Sequence, residues 1–381
     1  MKVRVCVPAR GARGILGGTT MKHSKATAIR GLVVGGVVLA ATAAPALGAA
    51  TMIDPNFYDV TDGGGNIWTV DNAGGTSNGL PAGSFGGDCV KPAVPGLTLN
   101  DAETGNDGYS DAYDGGALIW INDKVFANPD DSMALTTDGG ASTVTSDTVS
   151  YSGLDTTMSY TFLAGNTGLN GVARTLVTLT NPSAASIDAK VDFVTNFGSD
   201  DSTELFKDQT GDSAYTKDDR WIVTTDDPDY SDDPINTTVF FGPGDVAAKP
   251  TVATNTVFDC SDTDGAWDQF QISVPAGATR HFVFFNMITE PVEDVRVPDA
   301  EGLASPQATP PNNAVLPYLT QFDSVASASN PLFAGIPADQ LPSIVNWAPA
   351  QVEPTPTTAA PTTTSTAPAA AAVATQPKFT G

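Results

Sequence analysis

Histidine is nearly missing from this chain, with 2 in 381 residues, and cysteine is scarce, with 3. Zinc draws mainly on those two side chains, so a zinc centre is disfavoured. His23 belongs to an N-terminal stretch that reads as removable, which leaves His281. A Ser-His-Asp triad needs only one histidine, but no Gly-x-Ser-x-Gly elbow accompanies it. His281 lies inside "TRHFVFFNM" and reads as a strand histidine without a catalytic task. No P-loop or dinucleotide fingerprint is present. Basic residues are few, 18 against 43 acids. Such a charge balance repels nucleic acid and anionic lipid and attracts cations. The apolar run from Gly31 to Ala44 is shorter than the roughly 20 residues of a membrane-spanning helix. No membrane span is expected in the mature chain.

What is present begins at the N-terminus. "MKHSKATAIRGLVVGGVVLAATAAPALGAA" starts at Met21 with Lys22, Lys25 and Arg30, continues through that apolar run, and ends in small residues. Positive, apolar and small-residue parts in this order make a secretory signal. Residues 1–49 are read as that signal, with Met21 the alternative start. Seven of the 18 basic residues leave with it, so 11 face all 43 acids. The protein is expected outside the cell, free or associated with the wall. Cys89 and Cys260 remain, and two cysteines in an exported chain suggest one disulfide. Two separate buried thiols are the alternative. Residues 348–381 are rich in Pro, Thr and Ala. That composition predicts a disordered, spacer-like tail.

Between these ends the patterning is that of an all-β chain. "ALIWINDKVF" (117–126) reads as a hairpin turning at Asn122-Asp123. In "SIDAKVDFV", Ile187, Ala189, Val191 and Phe193 alternate with Asp188, Lys190 and Asp192. That is period two, with one face buried and one wet. "VARTLVTLT", "DRWIVTT", "TTVFFG", "DQFQISV" and "TRHFVFFNM" continue the series, and long helical patterns are lacking. Many short strands with turn signals predict a large antiparallel β-sandwich over 50–300. Residues 301–347 read as a short helical cap, with Leu341, Ile344, Val345 and Trp347 packing on the sandwich.

Acidic clusters are the remaining candidates for chemistry. "SDTDGAWD" offers Asp262, Asp264 and Asp268 around Gly265. Alternate aspartates before a glycine resemble part of a calcium loop. Cys260 stands at the first ligand position and Gln271 where a bidentate Glu belongs, so a solvated loop competes with Ca2+. "NDGYSDAYDGG" sets Asp107, Asp111 and Asp114 beside Tyr109 and Tyr113, a set suited to a sugar, a cation or a plain turn. "DDPDYSDDP" reads as a solvated loop, and Asn236 after it opens the sequon "NTT", which suits an exposed site. Glycoside hydrolysis needs two carboxylates at a set separation, and the sequence singles out no pair.

The ordered motifs "SDAYDGG", "LVTLTNPSAASIDAKVDFVTNFGSD", "DRWIVTTDDPDYSDDP", "ISVPAGATRHFVFFN" and "LFAGIPADQLPSIVNW" resemble a group of secreted bacterial β-sandwich proteins without assigned activity. The resemblance covers about residues 54–347 and brings no catalytic residues. In size the sandwich is similar to galactose-mutarotase-like supersandwich domains. That resemblance would imply two histidines and a glutamate, and the mature chain has one histidine, so epimerase activity is not expected. The sequence therefore points to an exported, non-enzymatic sandwich with a binding or structural role. Its partner would be a cell-wall or extracellular glycan or protein. A carbohydrate-active enzyme using Asp or Glu is the alternative.

Overall fold

The β-branched and aromatic runs form strands because alternate side chains can bury on one face while the ladder satisfies the backbone. The computed structural model describes residues 50–53, 58–72, 96–105, 109–110, 112–129, 132–163, 169, 171–198, 203–212, 214–225, 233–258, 264–290, 297–298, 304–305 and 319–350. In chain order the strands begin with β1 (Thr51–Ile53), β2 (Tyr58–Thr61), β3 (Ile67–Asn72), β4 (Leu97–Glu103), β5 (Gly115–Ile121), β6 (Lys124–Val125) and β7 (Met133–Asp138). Next come β8 (Ala141–Thr145), β9 (Val149–Tyr151), β10 (Leu154–Phe162), β11 (Val172–Thr180), β12 (Ile187–Asn196), β13 (Glu204–Asp208) and β14 (Trp221–Thr225). The last are β15 (Ile235–Val239), β16 (Pro250–Thr254), β17 (Gly265–Val274), β18 (Thr279–Thr289), β19 (Val297–Pro298) and β20 (Ala304–Ser305).

Two large antiparallel sheets result. The first runs β1-β7-β8-β10-β11-β18-β15-β14-β13, with β9 on β10. The second runs β16-β17-β12-β5-β4-β3-β2, with β6 on β5. β19 and β20 form a small separate ribbon. The predicted hairpin is present: β5 turns into β6 through Asn122 (φ 49) and Asp123 (φ 67), the left-handed pair a tight two-residue turn requires. Among the described residues no helix is long and apolar enough to cross a membrane.

The main core lies between the inner faces. Val191 and Phe193 of β12, Phe270 of β17, and Phe282 and Phe284 of β18 are all buried there. Phe193 stacks on Phe284 with centroids 4.4 Å apart. Each such ring contributes about 1.5–3 kcal/mol by leaving water. A second cluster covers the outer face of the first sheet, where Val239, Val283, Phe285 and Met287 meet Phe322, Leu332, Phe333, Leu341, Ile344 and Trp347. A third covers the outer face of the second sheet, with Leu118, Trp120, Val194, Val257, Phe258 and Trp267.

The C-terminal segment packs as three 3-10 turns among the described residues: Thr320–Asp323, Pro331–Phe333 and Leu341–Ser343. Longer helices do not form because Pro331, Pro337 and Pro342 break the run. Arg174 of β11 fastens this segment. Its Nη1 donates to the carbonyls of Leu332 (2.9 Å) and Ala334 (2.7 Å), and its Nη2 to Thr161 Oγ1 (3.1 Å). Further on, β15 pairs with β18 only from Thr289 back to Phe285. The other half of that edge is taken by Val345 and Asn346. Val345 N donates to His281 O (2.9 Å). The Asn346 side chain accepts from Val283 N (2.9 Å) and donates to Val283 O (2.7 Å) and Phe240 O (2.9 Å). A side-chain amide here does the work of a strand's peptide group.

Candidate functional site

The outer face of the second sheet carries the described concavity. A groove of about 370 Å³ is lined by Asn122, Asp188, Lys190, Gln271 and Ser273, with Ala189 and Ile272 beneath. Three elements build it. The β5–β6 turn supplies Asn122, whose Oδ1 accepts from Lys190 N (2.9 Å). β12 supplies Asp188 and Lys190, and β17 supplies Gln271 and Ser273 as their register partners. The Lys190 ammonium donates to Asp123 in the same turn. Backbone and side chain of Lys190 thus both tie to the hairpin, which fixes that wall of the groove.

One register step further along the same rows stand Asp192 and Gln269. Asp192 was expected on the wet face with Asp188 and Lys190. It is instead fully buried. Trp120 on β5 and Gln269 on β17 flank it in register, and Trp267 closes over it. Asp192 Oδ1 accepts from Trp267 Nε1 (3.0 Å) and Gln269 Nε2 (2.9 Å). Burial raises its pKa, while the Gln269 and Trp267 hydrogen bonds and the Lys190 charge oppose the rise. Its Oδ2 has no protein donor, and the buried Trp120 Nε1 has no protein acceptor.

The predicted site residues fall elsewhere. Asp262, Cys89 and Cys260 lie outside the described residues, as do Asp107 and Asp111. Asp264 stands directly before β17, and its carbonyl accepts from Phe197 N (2.8 Å). Asp268 is on β17 with its carboxyl turned into the core, where the Tyr215 hydroxyl donates to it. Among the described residues no three His, Cys, Asp or Glu side chains gather as a metal site would require. His281 is buried on β18, with Nδ1 3.0 Å from Thr178 Oγ1.

Two expectations of surface exposure are corrected. Tyr113 is no loop aromatic: it is fully buried and its hydroxyl donates to Thr237 O (3.0 Å) and Met287 O (3.1 Å). The ring stacks beside Trp68 in the main core, with centroids 6.3 Å apart. Asn236 is also fully buried, because sheet pairing begins at Ile235 and places it between β14 and β18. Its Nδ2 donates to Phe197 O (2.7 Å), so the sequon amide is spent inside the fold.

No family model and no curated protein matches the chain. Solved structures resemble it weakly. A TPR-domain containing protein from Parabacteroides distasonis aligns at 9% identity and TM-score 0.36, over 71% of this chain and 55% of its own. A galactose mutarotase-like protein from Lactobacillus casei aligns at 9% identity and TM-score 0.34, over 61% of this chain and 99% of its own. A heparan sulfate lyase from Pedobacter heparinus aligns at 11% identity and TM-score 0.32, over 61% of this chain and 37% of its own. This chain thus spans about half the length of the first and about a third of the last. No family follows from these likenesses.

Proposed function

We propose that the chain is an exported, non-enzymatic β-sandwich that binds an extracellular or cell-wall polymer through the outer groove of its second sheet. The observation that carries this reading is the groove itself. It collects amide, hydroxyl, ammonium and carboxylate groups from three elements at one open surface. Such a mixture suits an uncharged or weakly charged polymer rich in hydrogen-bonding groups. Export is supported by the signal pattern before Ala50. The Pro/Thr tail would serve as a spacer.

The test is co-sedimentation of the full chain with purified peptidoglycan and wall polysaccharides. The wild type is expected in the pellet, and a Lys190→Ala/Gln271→Ala variant in the supernatant. Equal sedimentation of both removes the groove from the reading. A wild type that stays in solution with every polymer sinks it.

A carbohydrate-active enzyme is the second reading, favoured by one observation. Asp192, a carboxyl held toward its neutral form, stands buried one same-face position beyond Lys190 on β12. Release of reducing sugar that Asp192→Asn abolishes would establish it. Calcium at Asp262 and Asp264, without the buried Asp268, belongs to the first reading as a stabiliser. Dialysis against EDTA then lowers Tm, and an unchanged Tm removes the ion.

A further inference from the structure

We propose that the Lys190 amine and the Asp123 carboxyl condense into a side-chain amide that welds the β5–β6 hairpin to β12, with Asp192 carrying the protons. Such a bond would stand whether or not the groove takes a polymer.

The pair is set up for it. Lys190 and Asp123 are 67 residues apart in sequence and in direct contact through Nζ and Oδ1. Their side chains are 27% and 43% exposed. Other described ion pairs lack the chemistry. Lys217 and Asp218 are exposed sequence neighbours, and Arg220 brings Asp323 a guanidinium, which stays protonated and is no nucleophile. Backbone contacts hold both partners independently of the pair. Asn122 N donates to Lys190 O (2.9 Å), and Lys190 N donates to Asn122 Oδ1 (2.9 Å). Asp123 is fixed in the left-handed turn at φ 67. Reacting groups held in contact in this way gain most of what intramolecular reactions gain.

Asp192 supplies the acid. It stands two residues beyond Lys190 on the same face of β12, opposite Trp120 of β5. It is fully buried, its Oδ1 is taken up by Trp267 and Gln269, and its Oδ2 has no protein donor. Burial holds the carboxyl toward its acid form, and the charges of both Lys190 and Asp123 act on it. An acid in that state suits lending one proton and taking another back.

Proton transfer within the pair gives a free amine and a carboxylic acid. The amine lone pair attacks Cγ of Asp123, and the C–N bond forms. Asp192 gives its proton to the departing hydroxyl, the C–O bond breaks, and water leaves. One amine hydrogen then passes to Asp192 as a proton, so the acid ends as it began. No oxidant, reductant or activated donor takes part. The amide is uncharged, so two part-buried charges no longer have to be held away from water. This wall of the groove then offers an amide in place of an ammonium.

The experiment is intact-mass spectrometry of the purified full chain, reduced and with its N-terminus sequenced, followed by a tryptic digest. The expected mass is that of the sequence less one water. The digest should hold a branched peptide that joins the segments carrying Asp123 and Lys190. Lys190→Arg keeps the ion pair but not the nucleophile, and should show the full sequence mass with no branch. Asp192→Asn should still have its full mass when the wild type is complete. A wild type of full mass holds an ion pair only, which overturns the proposal. Loss of water without a branched peptide marks an aspartyl imide at Asp123 and overturns it equally. Branching as complete in Asp192→Asn as in the wild type overturns the role given to Asp192. Should a variant not fold, the wild-type digest decides on the bond alone. None of these outcomes depends on polymer binding, so the groove reading is judged separately.

Discussion

The Tyr215 hydroxyl donates to the Asp268 carboxyl inside the sandwich, joining the loop before β14 to the second sheet. Burial raises the Asp268 pKa well above its usual range, the Tyr215 bond opposes the rise, and Asp219 adds to it. The folded state therefore binds a proton that the unfolded chain gives up near pH 4. Stability from this group is full below that pH and is lost as pH rises toward the raised pKa, at up to about 1.4 kcal/mol per unit. Asp268→Asn keeps an acceptor for Tyr215 and removes the charge. Urea unfolding at pH 8 should find it more stable than the wild type, with the two equal near pH 4.

His281 behaves in the opposite sense. Burial lowers its pKa, so the folded state prefers the neutral ring. Its contribution is present above the unfolded value of about 6.5 and is lost as pH falls through the lowered one. His281→Gln should flatten the acid limb of a Tm–pH profile below about pH 6.5. An unchanged acid limb would place the titration elsewhere.

Arg174 is a buried guanidinium, with its pKa lowered to about 10 by desolvation, and it donates to two carbonyls and a hydroxyl. Arg174→Met should cost about 2–3 kcal/mol, because the carbonyls of Leu332 and Ala334 lose a charged donor. Hydrogen exchange should speed up first at residues 331–347. Uniform acceleration over the whole body would show that the segment does not open separately.

Gly242 lies flat against the Trp347 indole, where an added methyl would overlap the ring. Gly242→Ala should destabilise by about 1–3 kcal/mol through overpacking. Near-ultraviolet circular dichroism should report it as a weakened tryptophan signal.

Local pattern made much of this fold legible. The Asn122-Asp123 turn and the inward row Ala189, Val191, Phe193 stand where alternation puts them. Alternation names a face, however, and does not say what covers it. Asp192 shares its row with Asp188 and Lys190, yet indoles from β5 and β17 seal it. Their approach depends on pairing across long separations, such as Asp192 with Trp120. Tyr113 and Asn236 were misplaced for the same reason: polar neighbours suggested loops, and long-range pairing drew both inward. The groove was invisible because Asn122, Lys190 and Gln271 are distant in sequence. The alternating charge of "SIDAKVDFV" was the one signal that pointed toward it.

The Asn346 amide, set against β18, bears on the order of assembly. Half of that strand's rim stays unclaimed until residues 344–347 arrive. A nascent or truncated form ending before Ile344 would present a row of bare peptide groups to any passing strand. Closure of that sheet edge is thus deferred until residues 344–347 are in place.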